Sequence, residues 1–226
     1  MDNIAIFLSG GIGSRVGGST PKQYIDVKGK AIFAYSLETM VSSEQFSHFQ
    51  IVAENEYKSL YEKFFQGRAN FSFSKPGSNR QLSILNALSD IKDIAAEDSK
   101  VFIHDAARPN LSNQMIIACL DELKNHDGVI PVLPMKDTIY QLSNNRQITG
   151  LIDRESVFAG QAPEAFLFGK YYRANLDLPM DVLLSIHGSS EPAIMAGMDI
   201  VTISGDEENY KITTHSDLDK FIKELD

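Results

Sequence analysis

Six short runs rich in β-branched and aromatic residues recur along this chain, with stretches of helical spacing between them. That alternation restricts the architecture more than any other feature, because parallel strands need long crossovers and a helix is the usual crossover. The runs are Ile4 to Leu8, Phe49 to Ala53, Phe71 to Ser74, Val101 to His104, Val129 to Leu133 and Ile200 to Ser204. Helices are expected near Ile32 to Val41, Tyr57 to Phe65, Arg80 to Ile91, Asn113 to Lys124 and Ser216 to Leu225. The expected fold class is α/β, a mostly parallel sheet with helices on both faces. At 226 residues one such domain can bury a sufficient core without disulfides or structural metal.

Asp137 to Phe166 breaks the rhythm. Strand-like pieces, Thr138 to Leu142 and Gln147 to Ile152, flank the turn signal Ser143-Asn144-Asn145, so residues 137–166 read as a protruding β-hairpin arm. A two-stranded ribbon is marginally stable alone, and this one is expected to lean on a second copy of the chain as a homodimer.

Thirty acidic side chains against 21 basic ones leave a formal charge of −9, without a basic block. Nucleic-acid binding, which rests on neutralising phosphates, is therefore not expected, and phosphates would be handled by a few local cations. The single cysteine, Cys119, excludes an intramolecular disulfide framework and a Cys-based zinc cluster, and fits a reducing cytoplasm. No apolar run approaches membrane-spanning length, and the segment Asn3 to Leu8 lacks the form of a signal peptide, so neither embedding nor export by that route is expected.

The densest chemical signal follows the first strand: Leu8-Ser9-Gly10-Gly11-Ile12-Gly13-Ser14-Arg15-Val16-Gly17-Gly18, then Pro21-Lys22-Gln23-Tyr24. Five of the chain's 15 glycines fall within this turn, where backbone amides can encircle an anion. A P-loop would need Gly-Lys-Ser/Thr entering a helix, and that order is absent. A dinucleotide fold would accept Gly11, Gly13 and Gly17 with Glu54 holding a ribose, but the one Tyr-x-x-x-Lys spacing, Tyr24 to Lys28, lies too early for a reductase. That reading leaves unexplained Arg15 and Lys22, which bracket the turn and suit charge building on a transferring phosphoryl group. Two further segments matter. Pro76-Gly77-Ser78-Asn79-Arg80-Gln81-Leu82-Ser83 runs from a turn into a helix, with Ser78 or Asn79 as cap and Arg80 and Ser83 facing its start. His104-Asp105-Ala106-Ala107-Arg108-Pro109 ends a buried strand; taken alone it reads as a structural histidine beside an Asp105–Arg108 ion pair.

Together with Asp137-Thr138, Arg154, Gly160-Gln161-Ala162-Pro163 and Asn209-Tyr210-Lys211-Ile212-Thr213-Thr214, these segments resemble one family over nearly the whole chain: the cytidylyltransferases acting on 2-C-methyl-D-erythritol 4-phosphate or ribitol 5-phosphate. The resemblance implies a single nucleotidyltransferase domain over 1–226 on a Rossmann-like sheet. It also implies transfer of CMP from CTP to a polyol phosphate, giving a CDP-alcohol and pyrophosphate. By resemblance, the nucleotide would lie on Leu8, Ser9, Gly10, Gly11, Gly13, Gly77, Ser78, Asn79, Arg80, Ser83, Asp105 and Arg108. Arg15 and Lys22 would stabilise the pentavalent α-phosphate. Arg154 and Lys211 would grip the acceptor's phosphate, Arg154 from the arm of the partner, with Thr138 and Asp105 beside the acceptor. Asp105 would face the ribose, the metal or the acceptor, and Mg²⁺ would be held mainly by the CTP phosphates. The family's usual Gln-Thr-Pro-Gln appears here as Gln161-Ala162-Pro163-Glu164, and a threonine before aspartate as Met180-Asp181. Gly10-Gly11 and Gly160-Gln161 lie nearer the ribitol branch and Ala107 nearer the methylerythritol branch, so the expected acceptor is of the ribitol type, with methylerythritol phosphate as the alternative. An NAD(P)-dependent reductase and a non-catalytic nucleotide-binding homologue are the more distant alternatives.

Overall fold

A computed structural model describes residues 2–11 and 20–225. In chain order the described residues form β1 (Asn3–Leu8), β2 (Asp26–Val27), β3 (Lys30–Ala31), α1 (Ile32–Ser42), β4 (His48–Val52), α2 (Lys58–Phe65), β5 (Phe71–Ser74), α3 (Arg80–Asp90), β6 (Lys100–Asp105), α4 (Asn113–Glu122) and β7 (Gly128–Pro134). There follow β8 (Ile139–Leu142), β9 (Ile148–Ile152), β10 (Phe158–Gly160), β11 (Glu164–Leu167), α5 (Phe168–Leu176), α6 (Met180–Ser185), α7 (Glu191–Met195), β12 (Ile200–Ser204) and α8 (His215–Glu224).

The central strands are apolar on both faces, which dictates two helical layers. In β1, Ala5 and Phe7 join Phe49 and Ile51 of β4 and Phe102 of β6 in one core, while Ile4 and Ile6 join Val101 and Ile103 in another. Side chains alternate along a strand, so each core lies on one face of the sheet. Helices α1, α2 and α4 cover the first through Leu37, Tyr61 and Ile116; α3 and α5 cover the second through Ile84, Leu88 and Tyr171. The α/β architecture expected from the alternation is the one observed.

The large sheet runs β10-β7-β11-β6-β1-β4-β5, with β12 also pairing β7. The pairs β1·β4, β1·β6, β4·β5 and β7·β12 are parallel. An antiparallel insertion was not expected: β11 lies between β6 and β7, and β10 pairs with β7. Strands β8 and β9 pair only with each other, in register Ile139↔Ile152, as a separate two-stranded sheet. Its apolar side chains are uncovered, Leu151 and Ile148 being 69% and 63% exposed. No helix among the described residues is long and apolar enough to cross a membrane.

Candidate functional site

Parallel strands β1, β4 and β6 end level, with Leu8 registered against Val52 on one side and Asp105 on the other. Beyond these carboxyl ends, where open α/β sheets bind ligands, lies a cleft of about 510 Å³. Its walls come from the turns after β1, β5 and β6, and from Lys22 and Lys211.

Two glycines let these segments pack closely, one turn on the other and the second turn on the start of α3. A Cβ on Gly10 would stand 2.6 Å from Pro76 Cβ and Cγ, and one on Gly77 would stand 2.5 Å from Leu82 Cβ and 2.7 Å from the Ser83 nitrogen. A side chain at Gly10 would push the two turns apart, and one at Gly77 would push its turn off the start of α3. The second turn then enters α3 through a well-made cap. Asn79 Oδ1 accepts from Leu82 N at 2.8 Å, and Ser83 Oγ accepts from Gly77 N and donates to Asn79 O, both at 2.9 Å.

Behind the first turn, the buried amide of Gln23 donates to the carbonyls of Ser9 at 2.8 Å and Gly11 at 2.7 Å. The Ser9 hydroxyl meets the Tyr24 phenol at 3.1 Å and accepts from Tyr61. Burial raises both phenols above their ordinary range, so they remain neutral donors. The carbonyls of the turn are thus fastened in place, by a side chain that itself lines the cleft.

The charged side of the cleft centres on Asp105, whose two oxygens are shared out. Arg80 Nε donates to Oδ1 at 3.1 Å and Lys211 Nζ to Oδ2 at 2.8 Å. Burial pushes the Asp105 carboxyl up, but Arg80 and then Lys211 outweigh it and hold it below the ordinary range. Three cationic side chains, Lys22, Arg80 and Lys211, and two carboxylates, Glu54 and Asp105, line the cleft. An acidic protein therefore presents a locally positive pocket. His104 is fully buried behind it; its Nε2 donates to Arg108 O at 3.0 Å, and burial lowers its pKa to about 4. It is a neutral structural histidine, as the sequence suggested.

The model of the family described as IspD, 2-C-methyl-D-erythritol 4-phosphate cytidylyltransferase, matches residues 4–222. The chain belongs to this family. Its members use CTP, and the chain is accordingly a nucleotidyltransferase, a cytidylyltransferase. A 2-C-methyl-D-erythritol 4-phosphate cytidylyltransferase of Thermosipho melanesiensis is 31% identical over 221 residues, covering 96% of this chain and 94% of that protein. A ribitol-5-phosphate cytidylyltransferase of Streptococcus agalactiae is 25% identical over 226 residues, covering 98% and 94%. The chain spans about half the length of the bifunctional relatives it also matches, 56% of one from Pelagibacter ubique. Among solved structures, a 4-diphosphocytidyl-2C-methyl-D-erythritol synthase from Anaerococcus prevotii aligns with a TM-score of 0.83 at 20% identity, over 99% of this chain and 98% of that one, a likeness of fold. The reductase alternative falls with the family assignment.

Against this family background the expected residues divide into groups. Leu8, Gly10, Gly11, Lys22, Gly77, Ser78, Asn79, Arg80, Ser83, Asp105 and Lys211 all line the one cleft. Gly13 and Arg15 lie outside the described residues. Ser9 is buried behind the cleft rather than lining it, because its hydroxyl and carbonyl are taken by Tyr24, Tyr61 and Gln23. Arg108 is also turned away: it donates to Asn209 O at 2.6 Å, and the ion pairs of Asp105 are with Arg80 and Lys211 instead. Thr138 and Arg154 meet in a separate depression on the β8–β9 sheet that shares no lining residue with the cleft. Glu54, considered earlier only for a dinucleotide's ribose, lines the cleft two residues past the end of β4. Sequence reasoning missed the clamp by Gln23, although its Pro-Lys-Gln-Tyr motif was visible.

Proposed function

We propose that this cytidylyltransferase transfers CMP from CTP to 2-C-methyl-D-erythritol 4-phosphate, releasing pyrophosphate. The observation carrying the nucleotide half is the convergence of the two glycine turns and the side chains of Lys22, Arg80 and Lys211 on one cleft at the strand ends. Weight for the acceptor comes from the family's own description and from a methylerythritol-phosphate relative at 31% identity over nearly full length. Ribitol 5-phosphate, the acceptor expected from Gly10-Gly11 and Gly160-Gln161, is the second reading; full-length relatives of that description at 25% identity keep it in view.

The acceptor's phosphate is already ionised near neutral pH and can attack the α-phosphorus in line without a general base. The protein's task is then to align the two phosphates and to neutralise charge as it builds. Lys22, beside Gly10 and Gly11 in the cleft wall, is assigned to the α-phosphate with Arg15, and Lys211 to the acceptor's phosphate, with Asp105 holding its ammonium in place. The triphosphate would bring the divalent ion. No group of three or more His, Cys, Asp or Glu able to hold a metal occurs among the described residues, and both Asp105 oxygens are committed to cations. Bound Mg²⁺ would neutralise phosphate charge, and no protein cage is assigned to it.

The β8–β9 sheet is assigned to a second copy of the chain. Tyr140, Leu142, Ile148, Leu151 and Ile152 are exposed on it, an apolar surface that a lone two-stranded ribbon does not cover. Such a pairing would carry Thr138 and Arg154 to the partner's cleft, completing the acceptor end there. The lone cysteine is buried, and burial pushes its thiol up to about 12.

Pyrophosphate release from CTP, measured with 2-C-methyl-D-erythritol 4-phosphate, ribitol 5-phosphate and other polyol phosphates, tests this reading. The highest kcat/KM is expected with the first; preference for ribitol 5-phosphate reverses the acceptor assignment, and no release with any of them removes the function.

A further inference from the structure

We propose that Glu164 is a positioning residue that holds Arg80 in the nucleotide cleft through the hydroxyl of Ser189. The proposal rests on reading the cleft as the CTP site and adds a device that reading does not contain.

Arg80 leaves the first turn of α3 and is held from two strands. On one side its Nε donates to Asp105 at the end of β6. On the other, Nη1 donates to Ser189 Oγ, Ser189 Oγ donates to Glu164 Oε2, and Nη1 stands 3.8 Å from that same oxygen. Glu164 reaches this point because β11 is the antiparallel insertion beside β6, where it is registered against Ile103, two residues before Asp105. Ser189 is fixed in turn: its carbonyl accepts from Tyr171 at 2.7 Å, and Tyr171, fully buried, stacks on Phe166 at 4.1 Å.

A guanidinium on a long side chain loses much rotamer freedom when it binds an anion, and holding its fork in advance reduces that cost. Asp105 cannot do this alone, since Lys211 occupies its second oxygen. Glu164 offers a second carboxylate, 3.8 Å from Arg80 Nη1. With Glu164 ionised, the group Arg80, Lys211, Asp105 and Glu164 sums to zero, and with it protonated, to +1. The charged and titratable groups facing Glu164 are Arg80 from α3, Asp105 from β6, Arg108 just after it, Lys211 beyond β12 and Tyr171 from α5. Burial raises the Glu164 carboxyl and Arg80 partly offsets this, leaving it at about 7. The grip on Arg80 therefore tightens as the pH rises through neutrality.

Steady-state kinetics of S189A, E164A and E164Q, with melting temperatures to establish folding, test the role. S189A and E164A should each raise the KM for CTP about tenfold, the scale of a lost hydrogen bond to a charged group, with kcat nearly unchanged. The double variant should be little worse than either single one, because both remove the same link. E164Q should match the wild type near pH 6 and show a KM for CTP about threefold higher near pH 8, where only the wild type carries the charge. Titration of the substrates' own phosphates is common to both proteins, so the ratio isolates Glu164. A wild-type KM for CTP in folded S189A and E164A overturns the positioning role, as does a parallel loss of kcat and of both affinities. A wild-type protein that neither binds nor turns over CTP overturns the underlying reading instead.

Discussion

The cleft at the strand ends and the β8–β9 ribbon are built on opposite plans. In the cleft nearly every functional side chain is committed before a ligand arrives: Gln23 clamps the first turn, Asn79 and Ser83 clamp the second, and Asp105 and Glu164 hold Arg80. On the ribbon, Arg154 donates to Lys136 O at 3.1 Å, and its neighbours Leu151 and Ile152 are exposed. Preorganised donors are what stabilisation of a phosphoryl-transfer transition state requires, so the proposed reading places the nucleotide end within one chain. In the proposed reading the acceptor end is finished only when a second copy covers the ribbon. Changes at the two regions should therefore fail in different ways.

The largest effect is expected at the cleft. Lys22→Ala should lower kcat by roughly a hundredfold or more, the scale of one lost transition-state donor. Stopped assays at saturating CTP and acceptor check it, and unchanged turnover would take Lys22 out of the mechanism. On the ribbon, Arg154→Ala should raise the KM for the acceptor by roughly tenfold, as for one lost charged hydrogen bond, while CTP binding stays near normal. Equal losses for both substrates would erase the distinction between the regions.

A smaller effect comes from beneath the cleft. His104 is neutral when folded, with a pKa of about 4 against 6.5 when unfolded, so the unfolded chain binds the extra proton between these values. The stability tied to the neutral ring is full above pH 6.5 and falls as pH drops to about 4, by an amount on the order of 3 kcal/mol. Glu164 acts oppositely: its folded pKa of about 7 exceeds the ordinary 4.5, so its contribution is present at low pH and is lost as pH rises through 7. Denaturant melts from pH 4 to 7, made in the E164Q background, should show the acid-side loss, and adding His104→Gln should flatten it. A slope unchanged by His104→Gln would place the acid sensitivity elsewhere.

How much of this was legible in the sequence follows the range of each interaction. The parallel strands and their covering helices were readable, because burial on both faces leaves continuous apolar runs such as Ile4 to Leu8 and helices such as Ile32–Ser42 carry their own spacing. The insertion of β11 was not: Glu164–Leu167 is four residues long, and nothing in its pattern encodes the direction in which it pairs. Helices α5 to α7, of nine, six and five residues, were missed for similar reasons. The glycine turns and the cap at Asn79 are local and stood out. The carboxylate sharing at Asp105 joins residues 25 and 106 positions apart, so sequence offered the nearby Arg108 as its partner and folding supplied Arg80 and Lys211. Glu164 was visible only as a departure from the family's pattern, and its meaning emerged when Ser189 and Arg80 were found beside it.

The contrast between a self-sufficient nucleotide end and a shared acceptor end is tested most directly by mixing two defective proteins. If two copies pair through the ribbon as proposed, Lys22→Ala and Arg154→Ala chains, unfolded together in equal amounts and refolded, would assort so that half the dimers are mixed, each with one intact combination of cleft and ribbon. Assayed with acceptor below its KM, the mixture should recover about a quarter of wild-type turnover, well above the average of the two parents, as expected for a symmetric pair exchanging ribbons. Activity no greater than that average, with both proteins refolded, would contradict the account.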